Sequence, residues 1–189
     1  FGLQAAAQTN AVTVVNSASF EPGPVAPGQL ITIFGSGMGP PNGQSTQIGP
    51  DGKIADTLAG VIVTFDGERA PLFFVRADQI NAQVPYSVSK TSGTRMEISY
   101  QGRTVASTSL SIAETQYGIF TGADGTKRAI AVDTGGRLNN PNNPFAPGQV
   151  FTMYGTGEGQ TDPEAQTGRP VTLPLPLPRT PLRFWYYGG

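Results

Sequence analysis

Val25-Ala26-Pro27-Gly28-Gln29-Leu30-Ile31-Thr32-Ile33-Phe34-Gly35-Ser36-Gly37-Met38-Gly39 returns as Phe145-Ala146-Pro147-Gly148-Gln149-Val150-Phe151-Thr152-Met153-Tyr154-Gly155-Thr156-Gly157-Glu158-Gly159, a spacing of 120 residues (145 − 25). A period of domain size, rather than of about 20–50 residues, marks a duplicated domain and not a solenoid. Within the unit, Pro-Gly makes a turn, the next six residues make a strand, and the alternating glycines let the chain bend sharply away. Such a unit belongs to an all-β fold.

Working outward, the neighbouring segments have a period of two and none has a period of 3.6. Ile80, Ala82 and Val84 alternate with Gln79, Asn81 and Gln83, and Met96, Ile98 and Tyr100 alternate with Glu97, Ser99 and Gln101. Ala106, Thr108, Leu110 and Ile112 form a third row, and Val61, Val63 and Phe65 a fourth that ends at the hairpin signal Asp66-Gly67. Further strands are expected at 11–16, 29–34, 71–76, 128–133, 149–154 and 182–187. The 25 Gly and 17 Pro sit between these segments, as in a β-sandwich. The sequence therefore predicts two immunoglobulin-like sandwiches in tandem, at 10–116 and 117–189, after an extension at 1–9. The second is expected to be truncated, because counterparts of 68–113 are missing.

Composition narrows function. Charged residues are only 13% and the net charge is −1, so no basic stripe exists to hold nucleic acid or an anionic membrane. No stretch approaches the roughly 18 apolar residues of a membrane span. With no Cys there is neither disulfide framework nor thiolate metal site. With no His as well, the usual general base and the Ser-His and Cys-His pairs are gone. Phe1-Gly2-Leu3-Gln4-Ala5-Ala6-Ala7-Gln8 reads either as the remnant of an export signal with an Ala-x-Ala processing site or as a plain disordered start. Export is the expectation taken from it.

A resemblance is carried by Val14-Val15-Asn16-Ser17-Ala18-Ser19-Phe20, by Val25–Gly28 with Phe34-Gly35-Ser36-Gly37, and by Ala70–Val75 running into Gln79–Pro85. Gly118-Ile119-Phe120-Thr121 and Leu138–Pro144 add to it. Over about 12–187 the chain resembles the uncharacterised Solibacter-type C-terminal domain of acidobacterial secreted proteins. The resemblance implies immunoglobulin-like sandwiches of the IPT/TIG type on large exported proteins, with no known enzymatic activity. The chain departs from that pattern after 187, where the family continues, and in the aromatic density of 184–187.

Four motifs invite chemistry. Asp133-Thr134-Gly135 matches the aspartic-protease triplet, which needs a second copy to share a proton, and none is present. A hairpin turn accounts for it. Gly35–Gly39 and Gly155–Gly159 lack the helix and Lys of a phosphate loop and read as bends. Asp124, Asp133, Asn139, Asn140, Asn142 and Asn143 offer oxygens for calcium, although Asx turns explain them without a metal. Phe184, Trp185, Tyr186 and Tyr187 could stack on sugar rings, or could form a strand apolar on both faces that a neighbour covers.

The reading that results has no catalytic, cofactor-binding or metal-ligating residue. It expects a structural subunit of an extracellular filament, tube or surface layer, partnered by copies of itself, with extracellular polysaccharide as a further partner. Its subunit interface is Val12, Val14, Val15, Leu182, Phe184, Trp185, Tyr186 and Tyr187, with 1–16 donated as a strand to the neighbour's incomplete domain. The alternative is a secreted glycan- or surface-binding module using 184–187.

Overall fold

The structure, a computed structural model, describes residues 10–88, 93–123 and 125–183, and among these there is no helix. Nine strands of the first part are β1 (Thr13–Asn16), β2 (Leu30–Phe34), β3 (Gln44–Ser45), β4 (Val61–Phe65), β5 (Glu68–Arg69), β6 (Leu72–Val75), β7 (Gln79–Gln83), β8 (Gly93–Tyr100) and β9 (Arg103–Ser111). They make a five-stranded sheet in the order β1-β2-β7-β6-β3 and a four-stranded sheet in the order β5-β4-β8-β9. The alternating rows meet between the sheets: Ile31, Ile33, Leu72, Ile80 and Ala82 face Val61, Val63, Phe65, Met96 and Ile98 in one buried cluster. The expected Asp66-Gly67 hairpin is present, and Gln101-Gly102 closes a second, each with positive φ at both central residues as in a type I′ turn. A bulge between Ile98 and Ser99 breaks the alternation of β9, which leaves Val105 beside Ala106 against the core.

The start of the chain bears on one expectation. Asn10 bridges Ala106 of the second sheet, and β1 then crosses to pair antiparallel with β2 of the first, with Val14 opposite Ile33 and Val15 opposite Thr32. Val15 is buried, and Val12 and Val14 pack against the core. Residues 10–16 are thus already used by their own sandwich. Donating them to a neighbour would strip an edge strand and three core side chains from the donor.

Downstream lie β10 (Gly118–Ile119), β11 (Ala131–Asp133), β12 (Phe151–Met153), β13 (Gly155–Thr156), β14 (Thr161–Asp162) and β15 (Leu177–Pro178), paired as β10-β13, β11-β12 and β14-β15. The β11-β12 hairpin repeats β1-β2: Asp133 stands opposite Phe151 as Asn16 stands opposite Ile31. Beyond this the two halves part. In the first half β2 is flanked on its other edge by β7, whereas among the described residues no second strand joins β12. Ile31 is fully buried, while Phe151, at the matching position, is 46% exposed and rests on Phe145 with ring centroids 5.6 Å apart. Leu182, expected to open a strand, is half-buried outside any strand.

The contrast fixes an expected outcome for two truncations of matching residues. Ile31→Ala should lower unfolding stability in urea by about 2–5 kcal/mol, as cavity-forming core substitutions do. Phe151→Ala, which removes a ring already half in water, should cost less than about 1 kcal/mol of the same transition.

Candidate functional site

The repeated Ala-Pro-Gly-Gln is a type II turn in both copies. Gln29 N–H donates to Ala26 O at 3.2 Å and Gln149 N–H to Ala146 O at 3.2 Å, with Gly28 and Gly148 at φ +75° and +81°. Each glutamine also accepts the alanine N–H on its side-chain oxygen, at 2.7 Å in Gln29 and 3.1 Å in Gln149. What differs is the surroundings. The bare Cα of Gly28 is the seat of the Tyr86 ring, which any Cβ there would strike, while Gly148 has nothing within 4 Å of the same position.

Tyr86 is buried on that seat and tied to the downstream part of the chain on three sides. Its N–H donates to Thr167 Oγ1 at 3.0 Å, its carbonyl accepts from Gln160 Nε2 at 2.6 Å, and its hydroxyl donates to Glu158 Oε1 at 3.4 Å. Burial, and then the Glu158 charge and hydrogen bond, push the phenol well above its ordinary pKa, so it stays a protonated donor. Around it the segment 155–169 lies on the outer face of the first sheet. Thr156 Oγ1 accepts the N–H of Leu30 at 2.7 Å, Gly168 N–H donates to Gln83 Oε1 at 2.8 Å, and Gly168 O accepts from Ile54 N–H at 2.9 Å. Gly157, at φ +90°, lets the loop run directly against the segment between β9 and β10: a Cβ there would overlap Gln116 O, and Gln116 N–H instead donates to Gly157 O at 2.9 Å. Asn16 Nδ2 closes the same corner on Gln116 O at 2.7 Å.

This junction was not visible in the sequence. Tyr86, Gln160 and Thr167 carry no motif, Thr156 and Glu158 lie in the second glycine run, and the bonded partners are 72 to 126 residues apart. The only sequence signal was the second glycine run, which reads as a bend and does not say what the bend packs against. Of the anticipated interface, Val12, Val14 and Val15 pack in the first sandwich, Leu182 is half-buried outside any strand, and Phe184, Trp185, Tyr186 and Tyr187 lie outside the described residues.

The remaining motifs are turns. Asp133 Oδ1 accepts the N–H groups of Gly135 and Arg137, each at 2.9 Å, and Oδ2 meets the Arg137 guanidinium at 2.7 Å and Gln149 Nε2 at 3.4 Å. The carboxylate pins the hairpin and the repeated turn together. Asn140 Oδ1 accepts Asn142 N–H at 2.9 Å in an Asx turn, and Asn139 Oδ1 accepts Phe145 N–H at 3.2 Å across the loop, so both oxygens are used by the backbone. Asp124 lies outside the described residues. Among those described, no three acidic side chains converge as a metal site.

Residues 14–117 match the IPT/TIG domain. The chain belongs to the IPT/TIG domain family. The matched span runs from β1 to the entry of β10, which is the complete sandwich, and IPT/TIG domains are immunoglobulin-like and usually non-catalytic. No curated protein and no solved structure matches the chain. In the IPT/TIG sandwich seen here, the polar clamp around Tyr86 is what joins the matched span to the downstream strands.

Two measurements check the Tyr86 seat and the Asp133 turn. Gly28→Ala and Gly148→Ala both force an alanine into left-handed backbone, a penalty of about 1–2 kcal/mol. Only Gly28→Ala also evicts Tyr86, so it should be the more destabilising of the two and should speed amide exchange at 155–169; equal effects would contradict the seat. For Asp133, the backbone hydrogen bond from Arg137 holds the carboxyl below its ordinary 3.8, outweighing burial, with the Arg137 side chain and Gly135 N–H adding to it. A depressed carboxyl pKa gives stability that is present above about pH 4 and lost as pH falls through the lowered value. Carboxyl-carbon NMR should place its midpoint below 3.8, with the Gly135 and Arg137 amide shifts moving at that same pH.

Proposed function

We propose that the protein is a non-catalytic structural module of an extracellular assembly, and that the open edge of β12 is covered by a β-strand from a neighbouring copy. The observation that carries the reading is the edge of β12 that no strand pairs among the described residues. Its counterpart β2 needs β7 to complete the sheet and bury Ile31, and Phe151 has no such cover among the described residues. Strand addition supplies main-chain hydrogen bonds to an open edge and side chains to its uncovered pockets. With 10–16 committed to their own sheets, the donor we assign is the aromatic segment Phe184–Tyr187 of the neighbour. A subunit that donates at one place and accepts at another forms a heterologous contact and so an open filament.

The non-catalytic part of the reading rests on the absence of His and Cys and on the use of Asp133 in a turn. The extracellular part rests on the Ala-x-Ala start and on the low charge content. Membership of the Solibacter-type family, finer than the IPT/TIG assignment, belongs to the same proposal and rests on the quoted segments alone.

Electron microscopy and sedimentation of the purified chain test it. Filaments are expected, and they should disappear in a variant lacking 184–189 and in Met153→Pro, which removes an N–H from the open edge of β12 and leaves the Val132–Thr152 pairing in place, while circular dichroism still reports the folded first sandwich. A chain that stays monomeric at high concentration, or filaments that persist in both variants, would overturn the reading.

A further inference from the structure

We propose that a groove on the outer face of the first sheet, walled by Phe20, Phe73 and Phe120, binds one neutral sugar ring of a polysaccharide. The groove encloses about 240 Å³ and is framed by both halves of the chain, since Phe120 follows β10 while the floor is Thr32 of β2 and Asn81 of β7. That is slightly below the ~300 Å³ at which clefts for small molecules begin, a size for a single ring.

Three features of the lining select the ligand. No Lys, Arg, Asp or Glu takes part, so a charged ligand would be desolvated without a partner. Aromatic rings on several sides offer flat apolar faces for the C–H face of a pyranose. The polar floor is made of amides: Gln79 Nε2 donates to Asn81 Oδ1 at 2.9 Å, and among the described residues Asn81 Nδ2 and Gln79 Oε1 have no other partner. One donor and one acceptor side by side match the vicinal hydroxyls of a neutral sugar.

A fourth feature points to use rather than accident. Phe20 is 60% exposed and holds φ +58°, a left-handed conformation that is a genuine outlier for a bulky side chain. Its N–H closes the turn on Asn16 O at 2.9 Å, and glycine would meet the same backbone requirement without strain. An exposed aromatic kept at a strained position gains nothing for the fold, and strain of this kind collects at ligand clamps.

The groove is separate from the β12 edge, so the inference stands whether or not the chain polymerises. Cellohexaose, laminarihexaose, chitohexaose and maltohexaose are added at millimolar concentration to the purified full chain, with the side-chain amide NMR signals of Gln79 and Asn81 and calorimetry as readouts. At least one should bind saturably and shift those amides. Phe20→Gly should leave the melting temperature unchanged or raised and weaken binding about tenfold or more, and Asn81→Ala should weaken it with the fold retained. Filament formation by Phe20→Gly should match the wild type, which separates this site from the assembly reading. The proposal is overturned if none of the four sugars binds, if both variants bind as tightly as the parent, or if binding is lost only when 184–187 are removed.

Discussion

A buried amide holds the Ala26–Gln29 turn shut: the Gln29 side chain accepts the Ala26 N–H, and its own N–H returns to the Ala26 carbonyl. With both bonds made inside the protein, neither polar group is left unsatisfied, a penalty of about 1–3 kcal/mol avoided for each. The turn then fixes where β2 begins, and so which face of Leu30–Phe34 meets the core, because a one-residue slip would send Ile31 and Ile33 outward. The same turn presents Gly28 without a side chain. Tyr86 occupies that gap, and Glu158, Gln160 and Thr167 hold Tyr86. Register of the first sheet and attachment of the downstream chain thus both descend from four residues.

The second copy shows what the turn alone can and cannot do. At 146–149 the backbone and the glutamine bond are reproduced, because they are local, and β12 comes after them as β2 does after the first turn. Burial is not reproduced, because it depends on strands that arrive from elsewhere. Fully burying a large apolar side chain contributes roughly 1.5–3 kcal/mol, and Phe151 realises only part of it. Isolated two-stranded hairpins are at best marginal in water. The β11-β12 pair is held instead by Asp133, whose oxygens bind the hairpin amides, Arg137 and the turn glutamine together.

Sequence periodicity therefore reached as far as local geometry did. The inward rows at 61–65, 80–84 and 96–98, the Asp66-Gly67 hairpin and the paired Pro-Gly turns were legible because alternation and turn chemistry act over a few residues. The seat of Tyr86 was not, since a tyrosine after Val84-Pro85 looks like any other until Gly28 is brought beneath it. Val12, Val14 and Val15 had the right composition for a strand, and composition does not say whose sheet a strand joins. Phe20 was hidden for a different reason: nothing in Ala18-Ser19-Phe20 signals a left-handed residue, because the conformation is imposed by the Asn16 turn around it.

Sheet edges decide what kind of partner the β12 edge suits. Proteins blunt exposed edges with short strands, charges, prolines or polar outward rows. The first sandwich uses these devices at its outer strands: β3 is two residues long, β5 is Glu68-Arg69, β9 turns Ser107, Ser109 and Ser111 outward, and β1 is met at Val15 by Pro22. The β12 segment Phe151-Thr152-Met153 is also short but carries no charge or proline, and Val150 and Tyr154 on either side are large, hydrophobic and exposed. A small ligand would satisfy neither a row of backbone groups nor an apolar strip of that length. The proposed β-strand would satisfy both, its ladder bonding the edge and every second side chain covering Phe151 and Met153.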